Sequence, residues 1–304
     1  MSLENQVLTW ALRRWIKPNS LRNQDVEASR ALTGRVPFGA KLAPGWRIRA
    51  GHGGGLPGEW IEPKLPSHPA RMRCILYLHG GAYIAMSART HRSVTSRLAS
   101  WSDASVFAVD YRLAPEHPFP AALRDALAAY RALIATGIPS SRIAVAGDSA
   151  GGGLALALLV ALRDARDRMP AAAALFSPWT DLAATGNSIV TNDTADALFF
   201  GSWIGRQARY YLGDTPATEP LASPLYADLT GLPPLLIQVS ATEVLLDDSR
   251  RVADLAEQVG VETTLQVWPG LPHGWQIFAP ILPEARAALR EAGAFIHARL
   301  TPMA

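Results

Sequence analysis

The chain has 304 residues, 49% hydrophobic and 18% charged, with a net charge of +3. That composition suits one large globular core, with room for an insertion inside it. The arginines are spread along the chain, with no basic stripe interleaved with aromatics, which argues against a nucleic-acid binder. A lone cysteine, Cys74, excludes an intramolecular disulfide and a thiolate metal cluster, so no metal or cofactor is expected.

No apolar run approaches the roughly 20 residues needed to span a bilayer. Met1 to Lys17 carries Glu4, Arg13 and Arg14 and lacks a secretory apolar core, so no stable membrane insertion and a cytoplasmic location are expected. Val7, Ala11 and Trp15, with Leu8, Leu12 and Ile16, recur at helical spacing up to Pro18. A second helical stretch runs from near Asp25 to Leu32 and stops at Gly34. Arg13 and Arg14 would allow weak contact with a membrane surface. Trp46 to Glu62 reads as a hairpin. Gly53, Gly55 and Gly58 spell G-x-G-x-x-G, but Pro57 interrupts it and a strand follows, so a dinucleotide site is rejected.

Strands and helices then alternate. Strands are predicted at Cys74–Leu78, Val106–Asp110, Ile143–Ala146, Ala173–Phe176, Leu235–Val239 and Thr264–Val267. Helices are predicted at His91–Ser100, Ala121–Ala135, Gly152–Arg163, Ser249–Val259 and Glu284–Arg299. This alternation predicts an α/β fold: a mostly parallel sheet with helices on both faces. Cys74 falls inside an apolar strand and reads as a buried thiol. Asn192 to Leu212 breaks the rhythm and reads as an aromatic-rich helical insertion.

Gly147-Asp148-Ser149-Ala150-Gly151 follows a predicted strand and precedes a predicted helix. Ser149 is therefore expected on a tight strand-to-helix turn, with its hydroxyl presented at the sheet's end as a nucleophile. A serine needs a base to take its proton, and the base needs an acid to hold its tautomer. Of the two histidines downstream, His297 lies inside the last predicted helix, whereas His273 lies in a loop just past a strand and is the expected base. The loop after Leu235–Val239 offers Glu243, Asp247 and Asp248. Glu243 is favoured as the acid because it comes first; Asp247 and Asp248 read as helix-start carboxylates. Gly80, Gly81 and Ala150 are the expected amide donors to the oxyanion. His79 reads as a loop-fixing residue and Asp148 as a turn stabiliser.

These residues resemble the hormone-sensitive-lipase-like esterases, a branch of the α/β-hydrolases. The resemblance rests on His79-Gly80-Gly81-Ala82-Tyr83, on Gly147 to Gly152, on Tyr111-Arg112-Leu113-Ala114-Pro115-Glu116, on Ser177-Pro178-Trp179-Thr180-Asp181 and on the His273 loop. It runs from about residue 70 to the end. Ala82 departs from the usual third glycine, and Glu243-Val244-Leu245 from the usual Asp-Pro-Leu. The Trp268 to Gln276 ending is similar to a subgroup of ε-lactone hydrolases and short-chain esterases. The resemblance implies an α/β-hydrolase core at 42–191 and 213–304, and a helical cap from 1–41 and 192–212. It implies an acyl pocket, for which Tyr83, Phe199, Trp203 and Trp275 are the candidate lining residues. A sheet-edge homodimer is also consistent with it.

The leading expectation is a cofactor-independent serine hydrolase of short- to medium-chain esters or lactones, working through an acyl-enzyme. A small-molecule receptor on the same fold and a lipase acting on aggregated lipid are the alternatives.

Overall fold

A computed structural model describes residues 1–18, 25–34 and 39–301. Eight strands form one sheet in the order β1-β2-β4-β3-β5-β6-β7-β8. They are β1 Trp46–Gly53, β2 Leu56–Pro63, β3 Cys74–Leu78, β4 Ser105–Val109, β5 Ile143–Asp148, β6 Ala172–Phe176, β7 Leu235–Ser240 and β8 Thr263–Trp268. β1 and β2 are an antiparallel hairpin, and β2 pairs antiparallel with β4; from β4 to β8 every pairing is parallel. The hairpin turns at Gly54-Gly55, with φ of +64° and +80°, the left-handed values a two-residue connection requires. The G-x-G-x-x-G there is a β-turn.

Strands β3 to β7 are mostly apolar and buried along nearly their whole length because helices cover both faces. Cys74, Leu76 and Leu78 point into the layer shared with α4 (Ala121–Ala135), α5 (Ala150–Asp164) and α8 (Leu246–Gln258). Ile75 and Tyr77 point into the opposite layer, with α3 (Arg92–Ser102) and α9 (Pro283–Leu300). Cys74 is fully buried, and burial pushes its thiol pKa up to about 12, so it is an inert core residue.

The chain leaves β3 for β4 on one side and later crosses back to β5 on the other. The strand order therefore reverses between β3 and β5, where Leu78 pairs with Gly147. Ligands in open α/β sheets bind at such a reversal, beyond the carboxyl ends of the strands.

The N-terminal helix α1 (Leu3–Ala11) continues through a π-helical turn, Leu12–Ile16, up to Pro18. Its expected apolar face divides. Leu12 is buried, whereas Val7, Trp10 and Trp15 are more than half exposed. The reason is that polar contacts hold this segment. Ser2 donates to Glu284 at 2.6 Å, Asn5 Nδ2 to the Gly270 carbonyl at 2.9 Å, and Lys17 Nζ to the Asp196 carbonyl at 2.9 Å. Helix α2 (Val26–Thr33) is clamped by Arg30, bidentate to Glu116 at 2.7 Å and bonded to the Ile84 carbonyl at 2.8 Å. Parts of the expected 1–41 cap segment lie outside the described residues.

The expected helical insertion is helical only in its second half. A short helix α6 (Ser188–Thr191) precedes it, and α7 spans Gly201–Leu212. Between them two carboxylates capture backbone amides: Asp196 Oδ1 takes Leu198 and Phe199, and Asp193 Oδ1 takes Gly201. Such side-chain capture competes with helix formation.

Leu76, at the centre of β3, is fully buried. Leu76→Ala is expected to cost about 2–5 kcal/mol of stability, readable as a lowered urea midpoint with unchanged slope.

Candidate active site

β5 ends at Asp148 and α5 begins at Ala150, so Ser149 forms the whole turn. Its backbone sits at φ 53°, ψ −124°, a strained conformation for a residue with a side chain. The turn is this tight because α5 starts almost against the sheet. A Cβ on Gly151 would lie 2.1 Å from the Leu78 carbonyl, and one on Gly147 would lie 2.3 Å from the Gly151 carbonyl. The Ser149 amide donates to Phe176 O at 2.8 Å, and its carbonyl accepts from the Trp179 amide at 2.9 Å.

Glu243 follows β7 and is fully buried. Its Oε1 accepts from Ser177 Oγ at 2.8 Å and from the Ser240 amide at 2.7 Å; its Oε2 meets His273 Nδ1 at 2.5 Å. His273 follows β8 and is 6% exposed. Since a carboxylate accepts only, Nδ1 carries the hydrogen and Nε2 of the neutral ring keeps its lone pair. Nε2 is buried and makes no hydrogen bond among the described residues. Burial alone would lower the His273 pKa, but Glu243, and behind it Asp196 and Asp148, hold it above the usual histidine value.

The other two carboxylates of this loop are committed elsewhere. Asp247 accepts from the Ser188 amide at 2.9 Å. Asp248 accepts from the Thr180 and Asp181 amides, each at 2.8 Å, and so ties α8 to the Ser177–Asp181 segment. Burial raises its pKa to about 7.

The loop after β3 corrects one expectation. The Gly80 amide donates to Asp148 Oδ1 at 3.0 Å, so it is not available to an oxyanion. Among the described residues the amides of Gly81, Ala82 and Ala150 donate to no protein acceptor. Gly81 and Ala82 both lie at positive φ, 116° and 54°. The Ala82 amide was not singled out in the sequence because only the glycines suggested close approach.

Asp148 organises this loop. Its Oδ1 also accepts from Tyr77 Oη at 2.6 Å, and its Oδ2 meets His91 Nε2 at 3.2 Å. The other His91 nitrogen donates to the Ser87 carbonyl at 3.1 Å. With acceptors at both nitrogens His91 is an imidazolium; burial opposes the charge, and Asp148 overcomes it to raise the pKa. His79 fixes the loop as expected: its Nδ1 donates to Gly80 O at 2.7 Å, and its carbonyl accepts from Tyr111 Oη at 2.6 Å.

The four candidate pocket residues separate. Phe199 packs edge-on against His273, ring centres 5.1 Å apart, and stacks on Trp203 at 4.5 Å. Both are half-buried. Tyr83 lies flat on Tyr211 at 3.6 Å and is 1% exposed. Trp275 does not line the site. It is fully buried in the apolar layer beneath α9, against Trp268, because the 3-10 turn Trp275–Phe278 carries it inward.

Sheet order, the strained turn at Ser149 and the buried Glu243–His273 pair fit an α/β-hydrolase, and the family model described as the alpha/beta hydrolase fold matches residues 75–277. The chain is 45% identical over 279 residues to an acetyl-hydrolase of Streptomyces hygroscopicus, covering 91% of each. It is 38% identical over 242 residues to an esterase of Acinetobacter venetianus, covering 79% of this chain and 78% of the other. Among solved structures, an esterase from the bacterial hormone-sensitive lipase family superposes with a TM-score of 0.89 at 41% identity, covering 99% of both chains. EstE5, soaked with p-nitrophenyl butyrate, superposes at 0.91 with 39% identity over 99% of both. The chain belongs to the hormone-sensitive-lipase-like esterases of the α/β-hydrolase fold. It is a carboxylic-ester hydrolase, and the receptor alternative falls away. No helix among the described residues is long and apolar enough to cross a membrane.

Asp148→Asn removes the partner of the His91 imidazolium and weakens the hold on Gly80. kcat on a soluble ester is expected to fall roughly 10- to 100-fold, less than the loss of a whole oxyanion donor, with KM little changed. Steady-state kinetics on a folded variant checks this.

Proposed function

We propose that the protein hydrolyses short- to medium-chain carboxylic esters through an acyl-enzyme on Ser149. The observation that carries this reading is the buried Glu243–His273 contact of 2.5 Å, which leaves Nε2 as the one ring nitrogen able to take a proton. Ser149 Oγ attacks the ester carbonyl while His273 Nε2 takes its proton. The tetrahedral oxyanion is held by the amides of Gly81, Ala82 and Ala150. The imidazolium, steadied by Glu243, returns the proton to the leaving alkoxide, and the acyl group stays on Ser149. Water then attacks the acyl-enzyme with the same base, releasing the acid. A lactone would open by the same steps, its alcohol remaining attached to the acyl chain. The half-buried Phe199 and Trp203 beside His273 support an apolar wall for the acyl chain. The N-terminal arm, through Lys17 on the Asp196 carbonyl, closes over the same segment as a cap.

The expected result is turnover of p-nitrophenyl acetate and butyrate that is abolished in Ser149→Ala. Glu243→Gln should lower kcat on the order of 10^4-fold, as when a triad acid is made neutral. A folded wild-type protein inactive on the whole acetate-to-palmitate series would sink the reading. The base must be neutral to work. Because the His273 pKa lies above 6.5, kcat/KM should fall on acidification with a midpoint above that value, read from a pH–rate profile.

A second reading, action on aggregated lipid, draws on the outward apolar side chains Leu3, Val7, Trp10 and Trp15. It requires activity to rise sharply when an ester passes its solubility limit. A hyperbolic rate curve through that limit would remove it.

A further inference from the structure

Asp196 is 1% exposed, and it lies outside the motifs that mark the site. Its two oxygens serve different parts of the chain. Oδ1 accepts from the Leu198 amide at 2.7 Å and from the Phe199 amide at 3.0 Å. Oδ2 accepts from the Val244 amide at 2.9 Å. Val244 directly follows Glu243, and the Phe199 ring rests against His273. The Asp196 carbonyl accepts from Lys17 Nζ at 2.9 Å. One buried residue thus joins the N-terminal arm, the aromatic wall and the acid's loop. The same loop is tied a second time, by Asn192 Nδ2 on the Glu243 carbonyl at 2.8 Å.

We infer that Asp196 is a positioning residue that locks the Phe199 wall to the Glu243 loop, so that substrate seating and the acid–base pair are set by one carboxylate. The inference rests on the serine-hydrolase reading above.

Two features separate this role from ordinary packing. All three side-chain partners of Asp196 are backbone donors, so a neutral amide cannot replace the carboxylate: its NH2 would face an N–H. The Asp196 charge also raises the His273 pKa, and the His273 charge favours ionised Asp196. The charged groups acting on His273 are Glu243, Asp196 and Asp148; Lys17, in turn, feels Asp196 and Asp193. Burial opposes ionisation of Asp196, and His273 and the three amides favour it.

The test compares wild type with Asp196→Asn and with Asp196→Ser, which is smaller and neutral. Two quantities are read: the His273 imidazole titration by NMR, and kinetics on p-nitrophenyl butyrate. Removing a nearby negative charge makes the imidazolium easier to deprotonate, so the His273 midpoint should fall by roughly half a pH unit. The acid limb of kcat/KM should move to lower pH with it. At the pH optimum kcat should fall on the order of tenfold as Glu243 loses its fixed orientation. Asp196→Glu keeps the charge and should restore the His273 midpoint.

An unmoved titration in a folded neutral variant would overturn the inference. So would failure of both neutral variants to fold, which would assign Asp196 to stability alone. The NMR titration needs no turnover. A wild type without esterase activity would therefore defeat the serine-hydrolase reading while the Asp196 coupling was still measured.

Discussion

The site depends on how closely the first turn of α5 approaches the ends of β3 and β5. With only 2.1 Å between a hypothetical Gly151 Cβ and the Leu78 carbonyl, nothing larger than hydrogen fits. That contact brings three things together: the nucleophile's turn, the first amide of α5, and the loop that leaves β3. The cost is the backbone of Ser149, whose conformation is worth roughly 1–3 kcal/mol of strain. It is offset by the two backbone hydrogen bonds that Ser149 makes with Phe176 and Trp179. A looser packing would relax the serine and carry the Gly81–Ala82 amides away from Ala150.

Buried carboxylates do most of the remaining positioning. Asp148, Glu243, Asp196 and Asp248 each accept hydrogen bonds from segments distant in sequence or from adjoining loops. Burying a carboxylate is unfavourable unless donors meet it. Backbone amides, which cannot rotate away, are among the donors to each of them, and are the principal donors to Asp196 and Asp248. Each acid therefore fixes loop geometry more firmly than an apolar contact would. It also explains why Asp247 and Asp248, which the sequence presents as helix-start residues, differ in the fold. Asp248 reaches across to Thr180 and Asp181, whereas Asp247 stays near the surface with Ser188.

The sheet, the strand-to-helix turn at Ser149 and the loops that carry Glu243 and His273 were legible because their signals are local. Apolar runs of strand length, glycines at a turn, and a histidine in a loop after a strand each declare themselves within a few residues. The misread features depend on competition that no local pattern records. Gly80 looked like an oxyanion donor, but its amide is taken by Asp148, 68 residues away. Trp275 shares the His273 loop, yet the turn after Gly274 sends its ring under α9. Val7 and Trp15 fit an apolar helix face, but polar anchors at Ser2, Asn5 and Lys17 decide how α1 lies. Asp196 carried no marker of its own, and nothing in the sequence joins it to Val244.

Three buried histidines lie at or around the site, and their surroundings give them different capacities to exchange a proton. His79 is stacked on Tyr111 beside His91, and burial, helped by the His91 charge, drives its pKa down to about 3. It stays neutral and serves as a rigid donor to Gly80. His91 has an acceptor at each nitrogen and stays charged, as the counter-ion of Asp148. Only His273 has one nitrogen held by a carboxylate and the other unengaged. A base must exchange a proton in each half of the reaction, so a ring saturated at both nitrogens cannot serve, and neither can one that resists protonation. In the proposed mechanism the role of base therefore falls to His273, through the partners that the other two already have.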